Sequence, residues 1–184
     1  MGRKRVIDQG QILDAAEVVV ARDGAARLTL DAVAVQAGIS KASVLYDYKS
    51  KQALIAAVVD RAVARDNAFN QETTTSLGAV DSAVIRGRIA AAALPIPEQF
   101  KQVAMNLCAA MAQDAQLRAT LQANQQAVIT QILASSGQPR GALLAYLALE
   151  GLKLLEALDY HSWPQEERSR ILREIGWLVD VEPA

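Results

Sequence analysis

The chain has 184 residues, of which 52% are hydrophobic and 4% aromatic, with 19 Lys+Arg against 20 Asp+Glu. That is enough apolar material for one sizeable core or for a small domain joined to a larger one, so a disordered chain is excluded, and abundant alanine and leucine with five thinly spread prolines disfavour a β-sandwich. Cys108 is the single cysteine, which rules out an internal disulfide and suits a reducing compartment. His161 is the single histidine, which leaves no zinc-ligand set.

A formal charge of −1 argues against a nucleic-acid protein until the chain is divided. Residues 1–65 carry ten Lys+Arg and seven Asp+Glu, a net of +3, and residues 66–184 carry nine and thirteen, a net of −4. This is the sign expected of a DNA-binding head on an acidic body. No apolar run reaches the roughly eighteen residues of a membrane span. The basic start is followed by Asp8, Gln9 and Gln11 rather than by an apolar stretch, so a cytoplasmic location is expected.

Arg3, Lys4 and Arg5 form a basic arm that could lie against a minor groove or could be solvated. A helix is predicted from about Asp8 to Asp23, with Ile12, Ala16, Val19 and Val20 on one stripe and Gly24 at its end. Thr29 then caps a short helix whose apolar positions are Leu30, Val33, Ala34 and Ala37. Gly38 suits a sharp turn, Ile39 can pack inward, and Ser40 caps a second short helix to about Tyr46. Two short helices across so tight a turn are the sequence image of a helix-turn-helix.

The second short helix starts with Ser40, Lys41, Ala42 and Ser43, small and hydrogen-bonding residues where a recognition helix enters the major groove. Tyr46, Tyr48 and Lys51 follow as groups that could grip phosphates, and an ordinary helical hairpin with a polar surface is the alternative. The order Thr, Asp, Val-Ala, Ala-Gly-Ile-Ser-Lys, Tyr-Asp-Tyr, Ser-Lys, Ala-Leu resembles the DNA-binding domain of TetR-family transcriptional regulators, with the motif running from about Ile12 to Val59. The resemblance implies an all-helical homodimer in which a small ligand in the C-terminal domain weakens operator binding. Three positions depart from it: Leu45 stands where an aromatic residue is frequent, Asp47 where a histidine or another non-acidic residue is frequent, and Lys49 where proline is common. Leu45 cannot bond a phosphate and Asp47 would repel one. Tyr46 is the candidate substitute.

Ser50 caps a long helix with the stripe Leu54, Ile55, Val58, Val59 and Ala62, continuing past Arg65 toward Phe69. The polar run Gln71–Ser76, rich in β-branched residues, reads as a boundary. Five more helices are expected over about 77–93, 97–112, 114–135, 139–160 and 163–180, the last begun by a capping box of Ser162 with Gln165. The fold class is therefore all-α, about nine helices. Residues 1–49 are read as a three-helix DNA-binding domain, and 50–184 as a helical bundle for ligand binding and dimerisation, linked by the helix from residue 50.

Three stripes could wall a small-molecule pocket: Val84 and Gly87, where glycine leaves space; Phe100, Ala104, Leu107, Cys108 and Met111; and Leu121, Asn124, Gln125 and Val128, with two amides in an apolar band. The same residues could be a packed core with amides at its edge, and Cys108 a small buried hydrophobe rather than a redox sensor. From Leu143 to Leu158 the chain is apolar around nearly the whole helix, so a second protomer or a fully buried position must cover it. The partner reading assigns Leu143, Leu147, Gly151, Leu154, Leu155 and Leu158, together with Ile171, Ile175 and Leu178 of the final helix, to a four-helix dimer interface. No catalytic constellation, metal spacing or phosphate-binding loop occurs, so no enzyme activity, metal or cofactor is expected. The function expected is a ligand-released repressor on a palindromic operator. The alternative is a helical small-molecule-binding or scaffolding protein without specific DNA binding.

Overall fold

A carboxylate opens the first helix. Asp8 holds an extended backbone, and its Oδ1 accepts from the Gly10 amide at 2.9 Å, satisfying one of the amides that a helix start leaves orphaned. In the computed structural model, which describes residues 8–95 and 98–183 (side chains of 98–100 and 113 excepted), helix α1 spans Gln9–Asp23. After a 3₁₀ turn at Ala25–Arg27 come α2 (Leu30–Ala37), α3 (Lys41–Asp47), α4 (Lys51–Ser76), α5 (Ala83–Ala93), α6 (Glu98–Gln113), α7 (Ala115–Ser135), α8 (Pro139–Ala157) and α9 (Gln165–Leu178). The fold is all-α, with no strand among the described residues.

The expected boundary at Gln71–Ser76 is instead the end of α4. Each hydroxyl there bonds back into the helix: Thr73 Oγ1 donates to Phe69 O at 2.9 Å, Thr74 to Asn70 O at 2.8 Å, Thr75 to Gln71 O at 2.8 Å and Ser76 to Thr73 O at 2.7 Å. Side chains that weaken a helix when their hydroxyls compete for the backbone are tolerated here because those hydroxyls use carbonyls of the same helix. The break falls at residues 77–82, where Gly78 (φ 70°) and Ser82 (φ 55°) are left-handed. Helix α5 thus starts six residues later than expected. The capping box at Ser162 is also absent: Pro164 precedes α9 without a side-chain cap bond, its φ of −53° already suited to a helix start.

Two compact packing units result, residues 1–62 with 97–120 and residues 63–96 with 121–184. In the first, Ile12, Val19, Val20, Leu28, Val33, Val44, Leu54 and Val58 are wholly buried. Helix α6 packs on α1 and the 3₁₀ turn, burying Val103, Leu107 and Met111, while Asn106 Nδ2 donates to Val20 O at 2.9 Å. Of the expected α6 stripe, Leu107 and Met111 are buried, whereas Ala104 and Cys108 are exposed and Val103 is buried instead, because the 103/107/111 row faces α1. Cys108 is accordingly not a buried hydrophobe, although partial desolvation pushes its thiol pKa up.

The core of the second unit joins Ile85, Val128, Ile132, Ala145, Tyr146, Leu149, Leu172, Ile175 and Val179. Here Gly87 has a packing reason: a Cβ on it would strike Thr74, so the glycine lets α4 and α5 touch. The space expected beside Gly87 is filled by that threonine. Replacing Gly87 with alanine should lower stability by about 1–3 kcal/mol through overpacking, despite alanine's better helix propensity. Chemical denaturation checks this, and unchanged or raised stability would contradict the close approach.

Candidate nucleic-acid interface

Thr29 and Ser40 build the two short helices as expected. Thr29 Oγ1 accepts from the Ala32 amide at 3.0 Å, and Ser40 Oγ from the Ser43 amide at 3.1 Å. Between them Gly38 sits at φ 65°, ψ 34°, and the Ile39 amide reaches back to Ala34 O at 3.0 Å, the six-to-one bond of a Schellman turn. Val44 is the buried anchor of α3, whereas Ala42 and Tyr46 are exposed and Ser43 is half-buried with its Oγ 2.7 Å from Ser40 Oγ. The start of α3 therefore presents short side chains to solvent, the shape that can enter a groove.

The cations and hydroxyls around it have more partners than the sequence suggested. Lys41 Nζ lies 2.8 Å from Asp31 Oδ2, a pair more than half exposed on both sides and so weak enough for a phosphate to replace. Lys49 donates to Tyr46 O at 2.5 Å and stands 5.1 Å from the Tyr46 ring centre; Lys51 donates to Ala26 O at 2.5 Å. Tyr48 is half-buried, and desolvation, with Asp47 beside it, raises its pKa, keeping the hydroxyl a donor. Asp47 has a structural use: its Oδ1 accepts from Gln9 Nε2 at 3.3 Å, tying the end of α3 to the start of α1. Arg3, Lys4 and Arg5 lie outside the described residues.

Below this surface Arg61 of α4 clamps α1. It lies 2.7 Å from Asp14 Oδ1 and 2.9 Å from Glu17 Oε1, with its own side chain and that of Glu17 largely buried. This cross-brace links α1 to α4 within the unit that carries the helix-turn-helix.

The residues expected to wall a pocket are divided between the two units. Leu107 and Met111 are buried in the first, and the side chain of Phe100 lies outside the described residues. Val84, Leu121, Asn124, Gln125 and Val128 belong to the second, where both amides are engaged: Asn67 Nδ2 donates to Asn124 Oδ1 at 2.7 Å, and the Tyr146 hydroxyl donates to Gln125 Oε1. The same cluster contains two groups that sequence reasoning missed, Arg88 and Tyr146, only 8% and 3% exposed, with the guanidinium carbon 6.0 Å from the ring centre. The available signal was Arg88 in the otherwise apolar run of α5 after Arg86.

The apolar helix α8 has two faces. Ala142, Ala145, Tyr146, Leu149 and Leu152 are buried, whereas Leu144, Leu147, Leu154 and Leu155 are 39–56% exposed, and nothing lies near a Cβ built on Gly151. Leu143 and Leu158 are half-buried between them. On α9, Ile171 and Leu178 are also half-buried, but Ile175 is a core residue at 4% exposure, so it is not free for an interface. Trp177, unassigned by the sequence reading, is 66% exposed and lines a shallow groove with Ile171, Glu174 and Leu178.

A helix-turn-helix with an accessible recognition helix, joined through α4 to a helical bundle, defines a DNA-binding regulator of transcription. Residues 12–58 match the family of bacterial regulatory proteins, tetR family, and residues 82–179 match the tetracycline repressor-like C-terminal domain. The chain belongs to the TetR family. Similar solved structures include a transcriptional regulator from Rhodococcus sp. Rha1 (23% identity, 96% of this chain and 100% of that one, TM-score 0.75) and a TetR-family member from Streptomyces coelicolor A3 (22%, 91% and 96%, 0.67). A third is the multidrug binding protein EbrR complexed with malachite green (20%, 97% and 100%, 0.70). At these identities the structures speak for the fold alone. Comparison with curated proteins gives no match.

Burial, with Glu150 nearby, pushes the Tyr146 hydroxyl up to about 12. The unfolded chain would release this proton near 10, before the native state does, so native stability should fall as pH rises from about 10 to about 12. The part of the tyrosinate absorbance that Tyr146→Phe removes should titrate near 12 in the native protein. Titration of that component near 10 would contradict the buried placement.

Proposed function

We propose that the protein is a repressor that grips a palindromic operator as a homodimer and leaves it when a small molecule binds. Residues 1–49 form the DNA-reading domain in this reading, and residues 50–184 bind effector and partner. The observation that carries it is the exposed, serine-capped start of α3, whose short side chains and surrounding cations suit the major groove and the flanking phosphates.

The exposed leucines of α8 and Trp177 of α9 support a dimer. An apolar helix face of this kind is costly to leave in water, and two copies of α8 and α9 would bury it in a four-helix interface. A symmetric dimer presents two recognition helices to two half-sites about 34 Å apart. EbrR, a multidrug binding protein in complex with malachite green, supports a small-molecule effector for this fold. Among the described residues no helix is long and apolar enough to cross a membrane, in keeping with a cytoplasmic protein.

Selection of bound fragments from genomic DNA should recover a two-fold symmetric site. On that site Lys51→Ala should weaken operator and random DNA alike and reduce the salt slope by about 1, while changes at Ser43 should alter sequence preference. Gly151→Arg should yield a monomer by ultracentrifugation that no longer holds both half-sites. Salt-sensitive binding of equal strength to operator and random DNA would sink the repressor reading and favour a scaffold.

A further inference from the structure

Arg88 is a buried charge of the second packing unit that has no carboxylate in close contact. Its side chain is 8% exposed, yet its nearest carboxylate oxygen, Asp66 Oδ2, is 3.8 Å from Nη1, beyond hydrogen-bonding reach, and Asp66 itself is half in water. Its hydrogen bond is a long one, Nη2 to Asn67 Oδ1 at 3.4 Å. A guanidinium offers five donors in a planar fork, and burying one without a close acceptor costs far more than a surface arginine does. The surrounding polar groups do not remedy this. The Tyr146 hydroxyl is spent on Gln125, the Asn67 amide on Asn124, and Asp66 also accepts from Asn70 Nδ2 at 3.0 Å.

The neighbourhood otherwise is hydrocarbon. Val84 and Ile85 precede Arg88 by a helical turn on α5, and Tyr146 belongs to the same buried core as Val128 and Leu149. A guanidinium held by one long hydrogen bond beside apolar side chains suits a ligand with one flat anionic end and an apolar body, because carboxylate and guanidinium meet in two parallel bonds.

We propose that Arg88 reads the effector, that the effector is an apolar organic carboxylate, and that it binds by taking Arg88 over from Asp66. This rests on the ligand-released reading above and names the class of ligand. It also gives the exchange a consequence: Asp66 and Asn67 lie on α4, so a ligand that captures Arg88 removes the polar contacts of this helix with α5 and leaves the packing of Thr74 on Gly87. Glu150, the other carboxylate facing Tyr146, is occupied by Lys153 at 3.0 Å and does not compete for the guanidinium.

The test uses the full chain with benzoate and octanoate as probes and benzamide and octanamide as their uncharged counterparts, followed by calorimetry and by thermal shift. The wild type should bind an acid at least about tenfold more tightly than its amide, the loss expected when a charged hydrogen bond is removed. Arg88→Gln should abolish that preference. Asp66→Asn, which removes the competing charge and keeps an acceptor for Asn70, should bind the acid more tightly than the wild type. Equal binding of acid and amide, acid binding no tighter in Asp66→Asn, or no binding of either acid to wild type and Asp66→Asn would each overturn the proposal. Operator affinity is measured in parallel with uncharged and cationic dyes. Release by one of those, with the acids inert, overturns the carboxylate class while the ligand-released repressor stands.

Discussion

One helix has to satisfy two sets of packing partners without interruption. The first half of α4 is an apolar stripe, Leu54, Ile55, Val58 and Val59, closed off by the Arg61 brace to α1. Its second half carries Asp66, Asn67 and Thr74, which face Arg88, Asn124 and Gly87 within the other unit. The boundary between the units falls at Ala62 and Val63, inside the helix. A break there would separate the helix-turn-helix from the bundle, and the far end stays helical through three consecutive β-branched residues, Thr73, Thr74 and Thr75, each hydroxyl donating to a carbonyl one turn back.

The bundle unit contains two features that its own packing leaves incomplete. A buried guanidinium has one long hydrogen bond and no close carboxylate, and the outer face of α8 leaves four leucines 39–56% exposed. In the proposed function each has its own complement: a carboxylate for Arg88, and an apolar helix pair for α8. The two lie on opposite sides of the α8 pattern, since Tyr146 is on its buried face and Leu147 on its exposed one. Ligand and partner would thus load the same helix from its two faces.

Much of this was legible in the residues. Cap chemistry at Thr29 and Ser40 and the left-handed Gly38 are local matters, decided within four residues, and the helix-turn-helix could be read directly. The circumference of α8 was also readable, because an all-apolar helix must be covered whatever the fold. What failed depended on choices made elsewhere in the chain. On α6, Leu107 and Met111 were legible, but two rows of apolar residues overlap there, and α1 selects 103/107/111 and leaves Ala104 and Cys108 outside. Gly87 looked like empty space because Thr74 was expected to lie in a linker. Arg88 and Tyr146, 58 residues apart, carry no common motif; only the packing of α5 with α8 brings a cation to a ring. Ile175 was misassigned because α9 has more apolar positions than one interface needs, and the core takes that one.

In the proposed function effector and operator oppose each other through one protein, so each must weaken the other by the same factor. The direct measurement is the complete cycle: operator affinity with and without saturating effector, and effector affinity with and without operator, on the same preparation at fixed salt. Two equal factors of roughly 5- to 150-fold, a coupling of about 1–3 kcal/mol, are expected. If every compound that binds the bundle leaves operator affinity unchanged, the bundle is a core and a dimer platform, and this protein does not sense a ligand.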